Sequence, residues 1–137
     1  MKHLPLMLAL GLMLTASPAA GRKRQPAPQQ IPILAWYSIP PGVFATQEHY
    51  QELRDAGFTH SFSHTYKYDD AVQALDLCAK VGLKCVFMCS ELEKEPEATA
   101  RKVSRHPGLG AYFLRDEPGN DAMPDLGLWA RRIESVD

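Results

Sequence analysis

The 137-residue chain has no surplus of charge of either sign. Fifteen Lys and Arg stand against sixteen Asp and Glu, a net charge of −1. No basic patch of the kind that holds nucleic acid or an anionic surface is implied. Cysteine is scarce, and Cys78, Cys85 and Cys89 are an odd number, so at least one thiol stays free. Cys85 and Cys89 are four residues apart in an extended segment, hence about 13 Å apart and unable to bond each other. Neither a C-x-x-C pair nor a His at ligand spacing accompanies them, so no metal site is expected, and each thiol reads as a small buried hydrophobe. No strand runs into a glycine-rich loop that opens a helix, which disfavours a phosphate-binding fold. No cofactor is implied.

Long hydrophobic runs are also missing. The longest, Leu4 to Ala16, is too short to span a bilayer. Lys2 and His3 precede it and Ser17-Pro-Ala-Ala-Gly21 follows, the pattern of a secretory signal peptide over residues 1–20, cleaved after Ala19 or Ala20. An uncleaved anchor is the alternative. No Cys follows the apolar run, so a lipid-modified start is not expected. Arg22 to Gln30 is basic and rich in Pro and Gln, and residues 21–30 read as a disordered linker. A secreted or periplasmic product, without stable membrane insertion after cleavage, is the expectation. The folded part then begins near Ile31 and has about 107 residues, room for one domain.

What is present is a repeat. Apolar runs begin at Ile31, Phe58, Leu83 and Leu109, at spacings of 27, 25 and 26 residues. They are rich in β-branched and aromatic residues or apolar throughout, as in strands covered on both faces. Between them lie helical patterns. Thr46 suits an N-cap, with Glu48 in the first turn and Tyr50, Leu53 and Ala56 on one face before Gly57. Asp69 or Asp70 is expected to cap a second helix with a buried stripe of Val72, Leu75, Cys78 (or Ala79) and Val81, ended by Gly82. A third helix opens at Glu95-Pro-Glu97 with a thin apolar face (Ala98, Val103), so it is expected to lie exposed, and His106-Pro-Gly108 closes it. A last helix has Pro124 near its start and Leu126, Trp129 and Ile133 inside. Four βα units of this kind imply an α/β fold of parallel strands with right-handed crossovers. Eight units make a TIM barrel, so residues 31–137 are expected to form half of a (β/α)8 barrel.

In such folds the C-terminal strand ends carry the chemistry. Here they offer Trp36 and Tyr37, His64 and Tyr66, Ser90 and Glu91, and Asp116 and Glu117. Aromatics beside carboxylates suit a carbohydrate, whose apolar ring faces stack on Trp or Tyr and whose hydroxyls need donors and acceptors. Core packing is the competing reading for Trp36 and Tyr37. His60 and His64 share a face about 13 Å apart, too far to chelate one ion. His64 is the substrate-binding candidate and His60 a structural residue. Glu91, Glu93, Glu95 and Glu97 read as a solvated loop and helix start.

The fourth apolar run ends abruptly as Ala111-Tyr-Phe-Leu-Arg-Asp-Glu-Pro118. This ending resembles the Asn-Glu-Pro of clan A TIM-barrel glycoside hydrolases, and more closely the Asp-Glu-Pro of secreted, beta-galactosidase-like barrel proteins. The resemblance covers residues 31–137. It implies that Glu117 is the general acid/base, which protonates the leaving oxygen and later activates water. The partner carboxylate of that family comes from the seventh strand. Asp116 stands where the family usually has Asn, and an ionised Asp accepts hydrogen bonds without donating any. The expectation is the N-terminal half of a secreted glycoside hydrolase, inactive alone, with Trp36, Tyr37, His64, Tyr66 and Asp116 as substrate-binding candidates. Its partners would be a carbohydrate substrate and either a missing barrel half or a second copy. Two other readings stand beside it: a non-catalytic carbohydrate-binding or assembly half barrel, and a metal-dependent sugar isomerase or lyase.

Overall fold

The structure, a computed structural model, describes residues 31–137; the signal-peptide and linker expectations for residues 1–30 lie outside the described residues. Strands and helices alternate as β1 (Leu34–Ala35), α1 (Gln47–Asp55), β2 (His60–Ser61), α2 (Tyr68–Val81), β3 (Lys84–Phe87), α3 (Ser90–Lys94), α4 (Pro96–Val103), β4 (Leu109–Tyr112) and α5 (Met123–Glu134), the last entered through a 3-10 turn at Asn120–Ala122. The sheet is parallel throughout and its strands lie in the order β1-β2-β3-β4. Sequential order without a reversal, combined with right-handed crossovers, places every connecting helix on one face.

The regular ladders are shorter than the apolar runs that produce them, but pairing continues past their ends. Phe62 N–H donates to the Ala35 carbonyl and Ser38 N–H to that of Phe62, while Phe113 N–H reaches the Phe87 carbonyl. Cys85 is level with Leu109 but Val86 with Ala111, so Gly110 is an extra residue on β4, a bulge. The sequence pattern had placed Gly110 at the strand boundary. A Cβ there would stand 2.7 Å from Lys84 Cβ and 3.1 Å from His60 Cδ2, which explains glycine inside the strand. The stretch after it is half-buried at Tyr112, Phe113 and Leu114 and exposed at Ala111, not the buried strand that its composition suggests.

Helix boundaries follow local chemistry. Thr46 caps α1 by accepting from His49 N–H at 3.3 Å. At the end of α2, Gly82 adopts the left-handed conformation (φ 76°), and Leu83 N–H closes the turn on the Cys78 carbonyl. Asp69 and Asp70 do not cap α2. Lys67 holds that position, and both acids sit inside the first turn, where the helix dipole favours them. The Glu91–Glu95 run is not a loop either: Ser90–Lys94 is a short helix held by buried Leu92. α4 departs furthest from expectation. Pro96, Thr99, Ala100 and Val103 are buried at i, i+3, i+4 and i+7 while Ala98 is exposed, so small residues and a threonine supply the packed face.

One face of the sheet meets these helices. Cys85, Phe87 and Cys89 pack with Tyr50, Leu75, Cys78, Leu92, Val103 and Ile133. All three cysteines are free and buried. A hydrogen bond with Cys85, followed by burial, holds the Cys78 thiol far above its ordinary range, and burial raises Cys89. Thiols so placed carry almost no thiolate at neutral pH. We expect the native chain to resist an aromatic disulfide reagent and the denatured chain to release three equivalents; one fast equivalent from the native chain would contradict this packing.

The opposite face carries no helix among the described residues. The uninterrupted apolar runs suggested cover on both sides, yet Leu34, Trp36, Gly110 and Ala111 are exposed. The rings of Trp36, Phe62 and Phe113 cluster there, with Trp36–Phe62 centroids at 4.7 Å and Phe62–Phe113 at 4.4 Å.

Candidate functional site

The C-terminal strand ends form an open rim. At the end of β1, Trp36 and Tyr37 are 48% and 60% exposed, with ring centroids 6.1 Å apart. Beyond β2, His64 lies 4.5 Å from the Tyr37 ring and, stacked, 6.3 Å from that of Tyr66. Tyr66 is 65% exposed. Four sequence-predicted binding residues therefore make one continuous aromatic lane. Core packing does not account for Trp36 and Tyr37. What holds the lane is a pair of residues the sequence reasoning did not single out: Phe62, fully buried, and Phe113, whose rings back both Trp36 and His64.

The lane leads into a cleft of about 690 Å³ between β4 and α5. His64, Tyr66 and Phe113 form one wall, and Arg115 and Asp116 follow from β4. Glu93 on α3 and Asp125, Trp129 and Arg132 on α5 close the other side. Asp125, Trp129 and Arg132 are spaced i, i+4 and i+7, so one helix face presents all three. Sequence reasoning assigned Trp129 to the interior and Glu93 to solvent, and did not weigh Asp125 or Arg132. Trp129 serves both purposes. Half-buried, it donates its indole N–H to the Leu92 carbonyl at 3.0 Å, tying α5 to α3, and it lines the cleft. The result is an aromatic floor with three carboxylates and two guanidiniums at its edge, a set that can accept from and donate to hydroxyl groups.

Glu117 stands apart from this lining. It is exposed on the segment that leaves β4 and is not part of the cleft wall, whereas its neighbour Asp116 is. Its backbone has a positive φ of 41°, and Tyr37 has one of 52°; no other non-glycine residue among those described does. The left-handed region costs an ordinary side chain about 1–2 kcal/mol. Both residues that bear this cost sit at strand ends already singled out on chemical grounds, and retained strain of this sort clusters at functional sites.

Arg132 reaches the cleft from a fixed position. Its Nε and Nη2 donate to the two Glu97 oxygens at 2.6 and 2.7 Å, which joins α5 to α4. Those bonds hold the Glu97 carboxyl below its ordinary range. The pair therefore stabilises the fold above the ordinary glutamate range, and the contribution disappears as pH falls through the depressed value. We expect Arg132→Gln to melt slightly below the parent at neutral pH, with the gap closing in acid. A gap of constant size in thermal melts across that range would show that the pair is not its source.

Among the described residues, no three His, Cys, Asp or Glu side chains converge as a metal-binding group, and no helix is long and apolar enough to cross a membrane. No family model, curated protein or solved structure matches the chain. The site is therefore interpreted from its own geometry.

Proposed function

We propose that residues 31–137 form half of a (β/α)8 barrel of the glycoside-hydrolase kind, whose strand ends hold a carbohydrate. The observation that carries this reading is the lane Trp36–Tyr37–His64–Tyr66 opening into a cleft edged by Glu93, Asp116 and Asp125. Sugar rings stack on exposed aromatic faces, and their hydroxyls bond to carboxylates and guanidiniums. The sequential parallel order supports the barrel, because strands 1 to 4 of a closed eight-stranded barrel follow each other in the same way.

In this reading Glu117 is the acid/base, poised beside the lane on a strained backbone. Its chemistry requires a second carboxylate about 5–5.5 Å away if configuration is retained. The resemblance places that group on a seventh strand, and residues 31–137 supply four. The chain by itself is therefore a binding module that does not hydrolyse. Titration with a panel of oligosaccharides should quench tryptophan fluorescence, and aryl glycosides should stay intact. Turnover abolished by Glu117→Gln would overturn the non-hydrolysing part, and absence of binding across the panel would overturn the carbohydrate part. A wholly non-catalytic carbohydrate-binding half barrel is the second reading, favoured by the exclusion of Glu117 from the cleft wall.

A further inference from the structure

Both outer strands of the sheet lack a neighbour on one side. β1 pairs with β2 alone and β4 with β3 alone among the described residues, so each leaves a row of backbone N–H and C=O groups unpaired. Proteins that keep such edges single defend them with inward-pointing charges or lysines along the strand. Neither edge is defended in that way. From Ile33 to Tyr37 and from Leu109 to Leu114 there is no charged side chain. The face between the edges is equally open, and Ile33, Leu34 and Trp36 are 47%, 39% and 48% exposed.

We infer that a second copy of this chain closes the sheet, its β1 lying parallel along β4 and its β4 along β1, to give eight strands about a two-fold axis. Three features of the chain favour its own copy as the occupant. The β4 edge needs a strand running in its own direction, and a β1 strand from another copy continues the parallel step that the sheet already takes three times. The two edges match in size, because β1 offers the large Leu34 and Trp36 and β4 the small, exposed Gly110 and Ala111. A net charge of −1 gives two copies little reason to repel. One edge contact alone would continue into an open filament, whereas two related by a two-fold axis consume both edges and stop. Closure also covers the Trp36, Phe62 and Phe113 rings.

The inference rests on the half-barrel reading and not on carbohydrate chemistry, so it is tested by mass and not by binding or turnover. Light scattering on the full chain at rising concentration should give twice the chain mass and nothing larger. Ala111→Glu and Leu34→Lys, both at exposed edge positions, should each yield monomers with a retained cooperative melt. Mixing them one to one should restore the dimer, since the mixed pair joins the altered β4 to the altered β1 and leaves its other contact unchanged. A monomeric parent at every concentration, a ladder of larger masses, or two variants that dimerise as the parent does would each overturn the inference. Should either variant fail to fold, amide exchange on the parent decides: dilution should remove protection from segments 33–37 and 109–113 together, and loss confined to other segments would overturn it.

Discussion

Gly108→Ala is expected to destabilise the chain by about 3 kcal/mol, the upper part of the range for overpacking a rigid site. A Cβ at this position would lie 2.1 Å from the Leu75 carbonyl oxygen and 2.9 Å from its carbon. Both belong to the backbone of α2, so no side-chain rotation relieves the clash. The segment around Gly108 is also pinned on three sides. Its carbonyl accepts from Cys85 N–H at 2.7 Å, its own N–H donates to His106 Nδ1 at 3.1 Å, and Lys84 Nζ donates to the adjacent Pro107 carbonyl at 2.8 Å. Because Nδ1 is an acceptor, the His106 ring carries its proton on Nε2, which donates to Asp76 of α2 at 3.1 Å. Moving the segment away from α2 breaks that bond and lifts β4 off β3. Chemical denaturation should show a lower midpoint at an unchanged slope. A loss under 1 kcal/mol would mean that α2 yields more easily than this packing allows.

The same residue shows where sequence reasoning stops. Gly57, Gly82 and Gly108 recur at the spacing of the repeat, and all three suggest helix ends. For Gly57 and Gly82 that is sound, since both have positive φ, a requirement that local sequence displays. Gly108 has no such φ, and α4 ends earlier, at Val103 with Ser104 as its C-cap. Its glycine answers to the backbone of a helix some thirty residues away in the chain, which no local pattern encodes. The parallel α/β alternation was legible for the opposite reason: each unit repeats the same pattern of apolar run, helix and stop, and chain geometry leaves few ways to connect such units.

The site divides in the same way. Trp36, Tyr37, His64, Tyr66 and Asp116 were legible because strand ends can be located from where apolar runs stop. Glu93, Asp125 and Arg132 were not, because which face of α3 or α5 turns toward the cleft is fixed by packing, above all by Trp129 bonding to Leu92. Phe62 and Phe113 read as ordinary strand hydrophobes, and only the open face shows that they back an exposed lane. The strain at Tyr37 and Glu117 runs against propensity, with neither Gly nor Asn present to announce it.

That strain makes the second large effect separable from folding. The double variant Trp36→Ala/Tyr37→Ala is expected to lose about a hundredfold in carbohydrate affinity, roughly 3 kcal/mol, if each ring contributes as buried aromatic anchors commonly do. Its melting temperature should change far less. Both rings are about half exposed or more and belong to the face without helices, and removing Tyr37 strips side-chain bulk from a residue with φ 52°. Alanine retains a Cβ, so the backbone strain itself persists; glycine would relieve it. Tyr37→Gly should therefore match Tyr37→Ala in weakened binding while melting at a similar or higher temperature, because relief of about 1–2 kcal/mol of left-handed strain offsets the greater freedom glycine has when unfolded. Isothermal titration with the best ligand of the panel, beside a thermal melt of each variant, reads both quantities. Affinity and stability falling in step would identify Trp36 and Tyr37 as structural residues of the open face and remove the lane from the binding site. Affinity falling alone would show that the strand ends hold two exposed rings, one of them on strained backbone, for the ligand and not for the fold.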